Sequence, residues 1–200
     1  MSSRPPDISL QGRVKGAILL ARLAFVRARG GELAVQGVLG RLTAAEREQL
    51  SGLTLAMSWY PFELNVRLDA SIAREFGGES VYRDLGAESA RQALASTFRN
   101  YARGRDPHGL LKHVAQIHRM YKDTGYMTYE WSDKSLAVLR TFDCRSFSPA
   151  DCLTNLGWHE HAVELCGGRS ARAIETKCCA RGDRLCEYRV QWLPSTGNPA

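Results

Sequence analysis

The sequence predicts an α+β domain in which N-terminal helices pack on a four-stranded, mainly antiparallel sheet, in the order helices, hairpin, helix, hairpin. Three observations predict it. Apolar residues recur every three to four positions up to about residue 122; the period drops to two at Gly125; and a capped helical stretch near 149–166 separates two pairs of strand-like segments.

Met1-Ser-Ser-Arg-Pro-Pro-Asp7 lacks the apolar stretch of a secretion signal and reads as a short disordered lead. Leu10, Val14, Ile18, Ala21 and Phe25 then follow helical spacing, with Arg13, Arg22 and Arg29 off that stripe and Gly30-Gly31 as the stop. Thr43-Ala-Ala-Glu46 has the form of a capping box and opens a short helix. Pro61 suits the first turn of the next, with Phe62, Val66, Ile72 and Phe76 inward and Gly77-Gly78 at its end. Further helices are expected over 80–103 and 107–122. Tyr126, Thr128 and Glu130 then alternate with Met127, Tyr129 and Trp131, and Ser132-Asp133-Lys134 turns into a second strand over 136–142. Ser148-Pro149 opens a helix that runs to Cys166 and stops at Gly167-Gly168. Two more strands, near 171–178 and 185–192, flank Ala180–Asp183. The expected organisation is a lead over 1–7, one domain over 8–193 (helical to 124, strand-rich from 125) and a tail over 194–200.

Composition narrows the function. Apolar residues are 44% and charged residues 24% of the chain, ordinary for a globular protein. No apolar run approaches the roughly 20 residues of a membrane span, and a cytoplasmic location is expected. In that reducing setting six cysteines are thiols or metal ligands rather than a disulfide set. The net charge of +6 raises nucleic acid as a partner, but the basic residues are spread singly along helical patterns, as on solvated helix faces, so nucleic-acid binding is not expected. No phosphate loop or nucleophile elbow is present, and nothing marks one cysteine as activated, so no enzyme is expected.

Four residues stand out as candidate metal ligands. Glu175 and Cys178 bracket two residues at a strand end, Cys186 follows eight positions later beyond a Gly-containing turn, and Cys152 sits in the first turn of the 149–166 helix. Three thiolates and a carboxylate suit tetrahedral zinc with no position left for water. The same cysteines read equally as small buried apolar residues, and Glu175 as a solvated strand residue. Cys144, Cys166 and Cys179 have no evident partner; Cys179 points to the opposite face if the strand continues through it.

The stretch Cys152-Leu-Thr-Asn-Leu-Gly-Trp-His, with Glu175-Thr-Lys-Cys178 and Gly182-Asp-Arg-Leu-Cys186, resembles the 4-vinyl reductase-type (V4R) ligand-binding domain. Ser58-Trp-Tyr-Pro61, Gly157-Trp158, Gly167-Gly168 and Trp192 resemble its single-domain bacterial members. The resemblance implies a structural zinc on Cys152, Glu175, Cys178 and Cys186, and a homodimer formed through helices. It also implies a pocket between helices and sheet for a small apolar or aromatic ligand, near Trp131. The wider superfamily includes haem-based nitric-oxide sensors and vesicle-tethering subunits. Their Tyr-x-Ser-x-Arg motif is absent from this chain, so haem is not expected. Of His108, His113 and His118, His118 shares a face with Leu111, Val114 and Tyr121 and is the candidate pocket histidine, although no motif selects it. His159 and His161, two apart on a helix, project about 200° apart and cannot reach one ion. The expected function is a non-enzymatic sensory or regulatory module acting through dimerisation or a protein partner. The alternative is a dimerising scaffold whose pocket is filled by its own side chains.

Overall fold

The computed structural model describes residues 9–194; the expected lead and almost all of the expected tail lie outside them. The first described residues depart from the helical expectation. Ser9–Leu10 (β1) and Arg13–Lys15 (β2) are short strands, and helix α1 begins only at Gly16 and runs to Gly40. The reason is pairing from a distance. β2 lies antiparallel to Trp59–Pro61 (β3), with Val14 opposite Tyr60. β1 pairs with Ser146–Phe147 (β6). Backbone partners so far along the chain leave no trace in local periodicity. Gly31 does break α1 as expected: its φ of 68° sits in the left-handed region and kinks the helix, which then resumes.

The next helices follow their caps. Thr43 and Glu46 form the reciprocal capping box of α2 (Ala44–Ser51). α3 (Phe62–Phe76) ends on left-handed Gly77, although Pro61 caps it rather than entering its first turn. The two long helices expected over 80–122 are divided into α4 (Val81–Ala95), α5 (Arg99–Gly104), α6 (Pro107–Gln116) and α7 (His118–Tyr121). α8 (Pro149–Leu165) opens with the Ser148 hydroxyl accepting from the Asp151 N–H at 3.1 Å.

The sheet meets its prediction closely. β4 (Tyr126–Asp133), β5 (Leu136–Phe142), β7 (Arg169–Lys177) and β8 (Cys186–Leu193) form one sheet in the order β4-β5-β8-β7, all neighbours antiparallel. Along β8, Cys186, Tyr188, Val190 and Trp192 are buried while the residues between them are not, the period-two pattern of a strand with one covered face. The other face carries charge: Arg140 pairs with both Glu130 and Glu187 at 2.5 Å.

Helix α8 lies between the two parts of the core. One part gathers Leu19, Val26, Phe62, Leu68, Ile72 and Leu85 from α1, α3 and α4; the other gathers Leu111, Leu139, Leu156, Tyr188 and Val190 under the sheet; Leu153 touches both. Two glycines seat α8 against α4. A Cβ on Gly86 would lie 2.0 Å from the Thr154 carbonyl oxygen, and one on Gly157 would lie 2.1 Å from that of Arg83. Backbone touches backbone there, so no side-chain movement relieves an added methyl. Gly157→Ala is therefore expected to cost about 2–3 kcal/mol, read as a lowered urea midpoint at unchanged slope. A cost below about 0.5 kcal/mol would show that the helices can part.

Candidate functional site

Between α1, α4, α6–α7, α8 and the inner face of the sheet lies a cavity of about 660 Å³, within the range of small-molecule and cofactor sites. Ala17, Ile18, Ala21 and Ala24 of α1, Val114 and Ile117 beside α7, and Met127 and Trp158 give it an apolar lining. Its polar groups include Arg22, Arg27, His118, Lys122, Asp151, His159 and three cysteines, Cys144, Cys152 and Cys186.

The charged members are paired. Lys122 Nζ lies 2.5 Å from Asp151 Oδ2. Arg22, which the sequence places off the apolar stripe, is buried: its Nε donates to Asp69 Oδ1 at 2.6 Å and its Nη2 to Oδ2 at 3.1 Å, while Asn65 Nδ2 donates to the same carboxylate at 3.2 Å. Burial pushes the Asp69 carboxyl up against the pull of Arg22. The signal was present, because Arg22 follows Leu19 by three and precedes Val26 by four, on the buried side of α1.

The structure distinguishes the three histidines that no motif could rank. His108 uses both ring nitrogens: Nε2 lies 3.1 Å from the Lys134 carbonyl, to which its N–H donates, and Nδ1 lies 2.6 Å from the Tyr129 hydroxyl. His113 stacks on Tyr101. His118 lines the cavity with a buried Nε2 that has no partner. Its pKa falls to about 4, first through burial and then through Lys122, with Asp151 and a hydrogen bond to the Thr124 carbonyl opposing. It is therefore neutral at pH 7, the form that coordinates a metal or accepts a hydrogen bond. Trp131, the expected pocket aromatic, is 60% exposed and stacks on His108 at 3.8 Å, away from the cavity lining. His159, which the sequence offered only as half of a failed metal pair, lines the cavity instead.

The predicted ligand set comes together. One ligand atom from each of Cys152, Glu175, Cys178 and Cys186 lies within 4.8 Å of the others, and the Cys152 and Cys178 sulfurs are 3.6 Å apart. Helix α8 supplies Cys152, the end of β7 Glu175, the turn after it Cys178, and the start of β8 Cys186. Glu175 Oε1 is buried without a partner, while Oε2 accepts from Arg181 at 3.1 Å. Burial, with Cys178 adding to it, pushes the Glu175 carboxyl up to about 7. Hydrogen bonds to Cys178 and Cys186 and burial raise the Cys152 thiol far above its ordinary range, whereas the bonds from Cys152 and Cys178 lower Cys186. Without a metal, protons must be shared among these groups. Cys179 does not point away: β7 ends at Lys177, and Cys179 is buried in a 3-10 turn with its N–H donating to Cys186 Sγ at 3.4 Å.

The α+β fold, with helices over one face of a four-stranded antiparallel sheet, is shared with solved structures of H-NOX domains. Three of these are a Fe(II) unliganded H-NOX protein mutant from K. algicida, an oxygen-binding H-NOX domain related to soluble guanylate cyclases in its oxygen complex, and the S. oneidensis H-NOX protein in its Fe(II)NO state. Their TM-scores are 0.68 throughout, with 14%, 14% and 13% identity; the alignments cover 91%, 93% and 89% of this chain and 98% of each of theirs. No family model matches the chain, and no curated protein matches it.

Two expectations are thereby corrected. The family expectation was a V4R domain, whereas the solved structures sharing the fold are H-NOX domains. The cofactor expectation was structural zinc and no haem, whereas the structural relatives include iron-bearing oxygen and nitric-oxide complexes. The Tyr-x-Ser-x-Arg motif was too narrow a criterion, because it concerns how carboxylate groups are held and not whether an axial nitrogen is free. Here one is: His118 is neutral, and its Nε2 is buried and unpartnered on the wall of a cavity of cofactor size. The residues present fit haem.

Proposed function

We propose that this chain is a non-enzymatic small-molecule-sensing module that binds haem in the cavity between its helices and sheet, where His118 would hold the iron. The observation that carries the reading is the unpartnered Nε2 of His118, buried on the wall of the 660 Å³ cavity. Bound haem would supply an iron able to take a diatomic gas. The chain's own part is to exclude water with the apolar lining and to keep His118 neutral. Arg27, which lines the cavity from α1 and is paired through its Nε with Glu32, would offer its remaining guanidinium N–H groups to a carboxylate group. A cavity of this size favours sensing over a scaffold with a filled pocket. The output would pass to a partner protein or a second copy of the chain. Titration of the purified protein with haemin is expected to give a saturable Soret band at one haem per chain. Scatter or absorbance rising without saturation would overturn the reading.

We also infer that Cys152, Glu175, Cys178 and Cys186 act together as ligands of one metal ion. Support comes from the clustering of their ligand atoms and the orphaned Glu175 Oε1. Thiolates favour soft or borderline ions, and four protein ligands would make the site a structural one, tying α8 to the β7–β8 hairpin. Elemental analysis is expected to find about one such ion per chain, lost in Cys178→Ser together with a large part of the melting temperature. A metal-free preparation of equal stability would reduce the cluster to packed thiols.

A further inference from the structure

His159 is the histidine among the described residues with both ring nitrogens buried and unpartnered. It sits in α8, edge-on to Trp158 and Tyr188 with ring centroids 5.7 and 5.4 Å away, and it lines the cavity. Burial lowers its pKa to about 4, so it carries one N–H donor and one acceptor nitrogen at pH 7. Leaving both unpaired in the interior is destabilising, and an apolar ring of similar volume would pack there without that cost. The backbone that carries it is fixed on its other side, because Gly157, two positions earlier, lies against the α4 backbone.

We infer that His159 is a ligand-anchoring residue, hydrogen-bonding the occupant of the cavity from the α8 wall while His118 meets it from α7. This deepens, and rests on, the reading of the cavity as a ligand site. The occupant is then apolar along Ala17, Ala21 and Val114 but presents a polar atom beside Trp158 and Tyr188. Where haem is the occupant, that polar atom belongs to the haem or to the small molecule it carries.

The test compares wild type with His159→Phe and His159→Gln in two measurements. Without haem, His159→Phe is expected to melt several degrees above wild type, since it removes two unpaired polar atoms. With haemin titrated in, His159→Phe is expected to bind about tenfold more weakly, the equivalent of one lost hydrogen bond, and His159→Gln to stay within about threefold. A His159→Phe protein that melts lower than wild type, or binds haemin within about twofold of it, overturns the assignment. If wild type takes up no haemin, the haem reading fails by itself, and the uncharged dye N-phenyl-1-naphthylamine replaces the probe. Fluorescence enhancement by wild type that is lost in His159→Phe then supports the anchor; equal enhancement, or none with either protein, overturns it.

Discussion

Asp69→Asn is expected to lower stability by about 3–5 kcal/mol, because it leaves the Arg22 guanidinium buried without its counter-charge. Both side chains are almost entirely out of water, at 4% and 0% exposure. The asparagine has nearly the shape of the aspartate, so the loss reports charge and not a cavity. For a chain of this length the melting temperature is expected to fall by about 10 °C or more. Converting both partners to apolar residues, Arg22→Met with Asp69→Leu, is expected to recover most of that loss, since no buried charge remains. A single replacement costing under about 1 kcal/mol would mean that water reaches Arg22 through the cavity it lines.

His118→Ala is expected to weaken haem binding by more than about 100-fold, beyond the 10–100-fold effect of losing a group that merely supports a metal ligand. The variant leaves a gap of imidazole size, so free imidazole at millimolar concentration is expected to restore the Soret band in part. His108→Ala provides the contrast. Its ring nitrogens are engaged by Tyr129 and Lys134, so that change is expected to disturb β4 while leaving haem affinity within a few-fold. Equal loss from the two variants would mean that His118 acts through the fold and not by coordination.

Much of the architecture was legible because it is encoded over short distances. The Thr43–Glu46 capping box, the Ser148 cap before Pro149, and the left-handed stop at Gly77 involve residues within one turn of one another. The switch to period two at Gly125 and the alternation along β8 depend on one face of a strand being covered, which needs no knowledge of what covers it. The cysteine cluster was legible for a related reason: a hairpin returns Cys186 to the neighbourhood of Glu175 and Cys178, and a cap places Cys152 at the start of α8.

What stayed hidden depends on partners far along the chain. Residues 9–15 carry helical spacing yet become strands, because β2 pairs with β3 and β1 with β6. Arg22 could be placed on the buried side of α1, but its acceptance there depends on Asp69, 47 residues later. That His108 keeps no free nitrogen depended on Tyr129 and the Lys134 carbonyl meeting both of its ring atoms. Alternation puts Trp131 on the same face of β4 as Met127 and Tyr129, but only the tertiary structure shows that it lies beyond the cavity, stacked on His108 of α6. By itself, then, the sequence determined the elements, their order, the antiparallel sheet and the grouping of the four candidate ligands, since periodicity, caps and turns act within a few residues. Only the tertiary structure decided which polar groups are paired and which remain free on the cavity wall, because hydrogen bonds and ion pairs are settled between segments that local pattern does not connect.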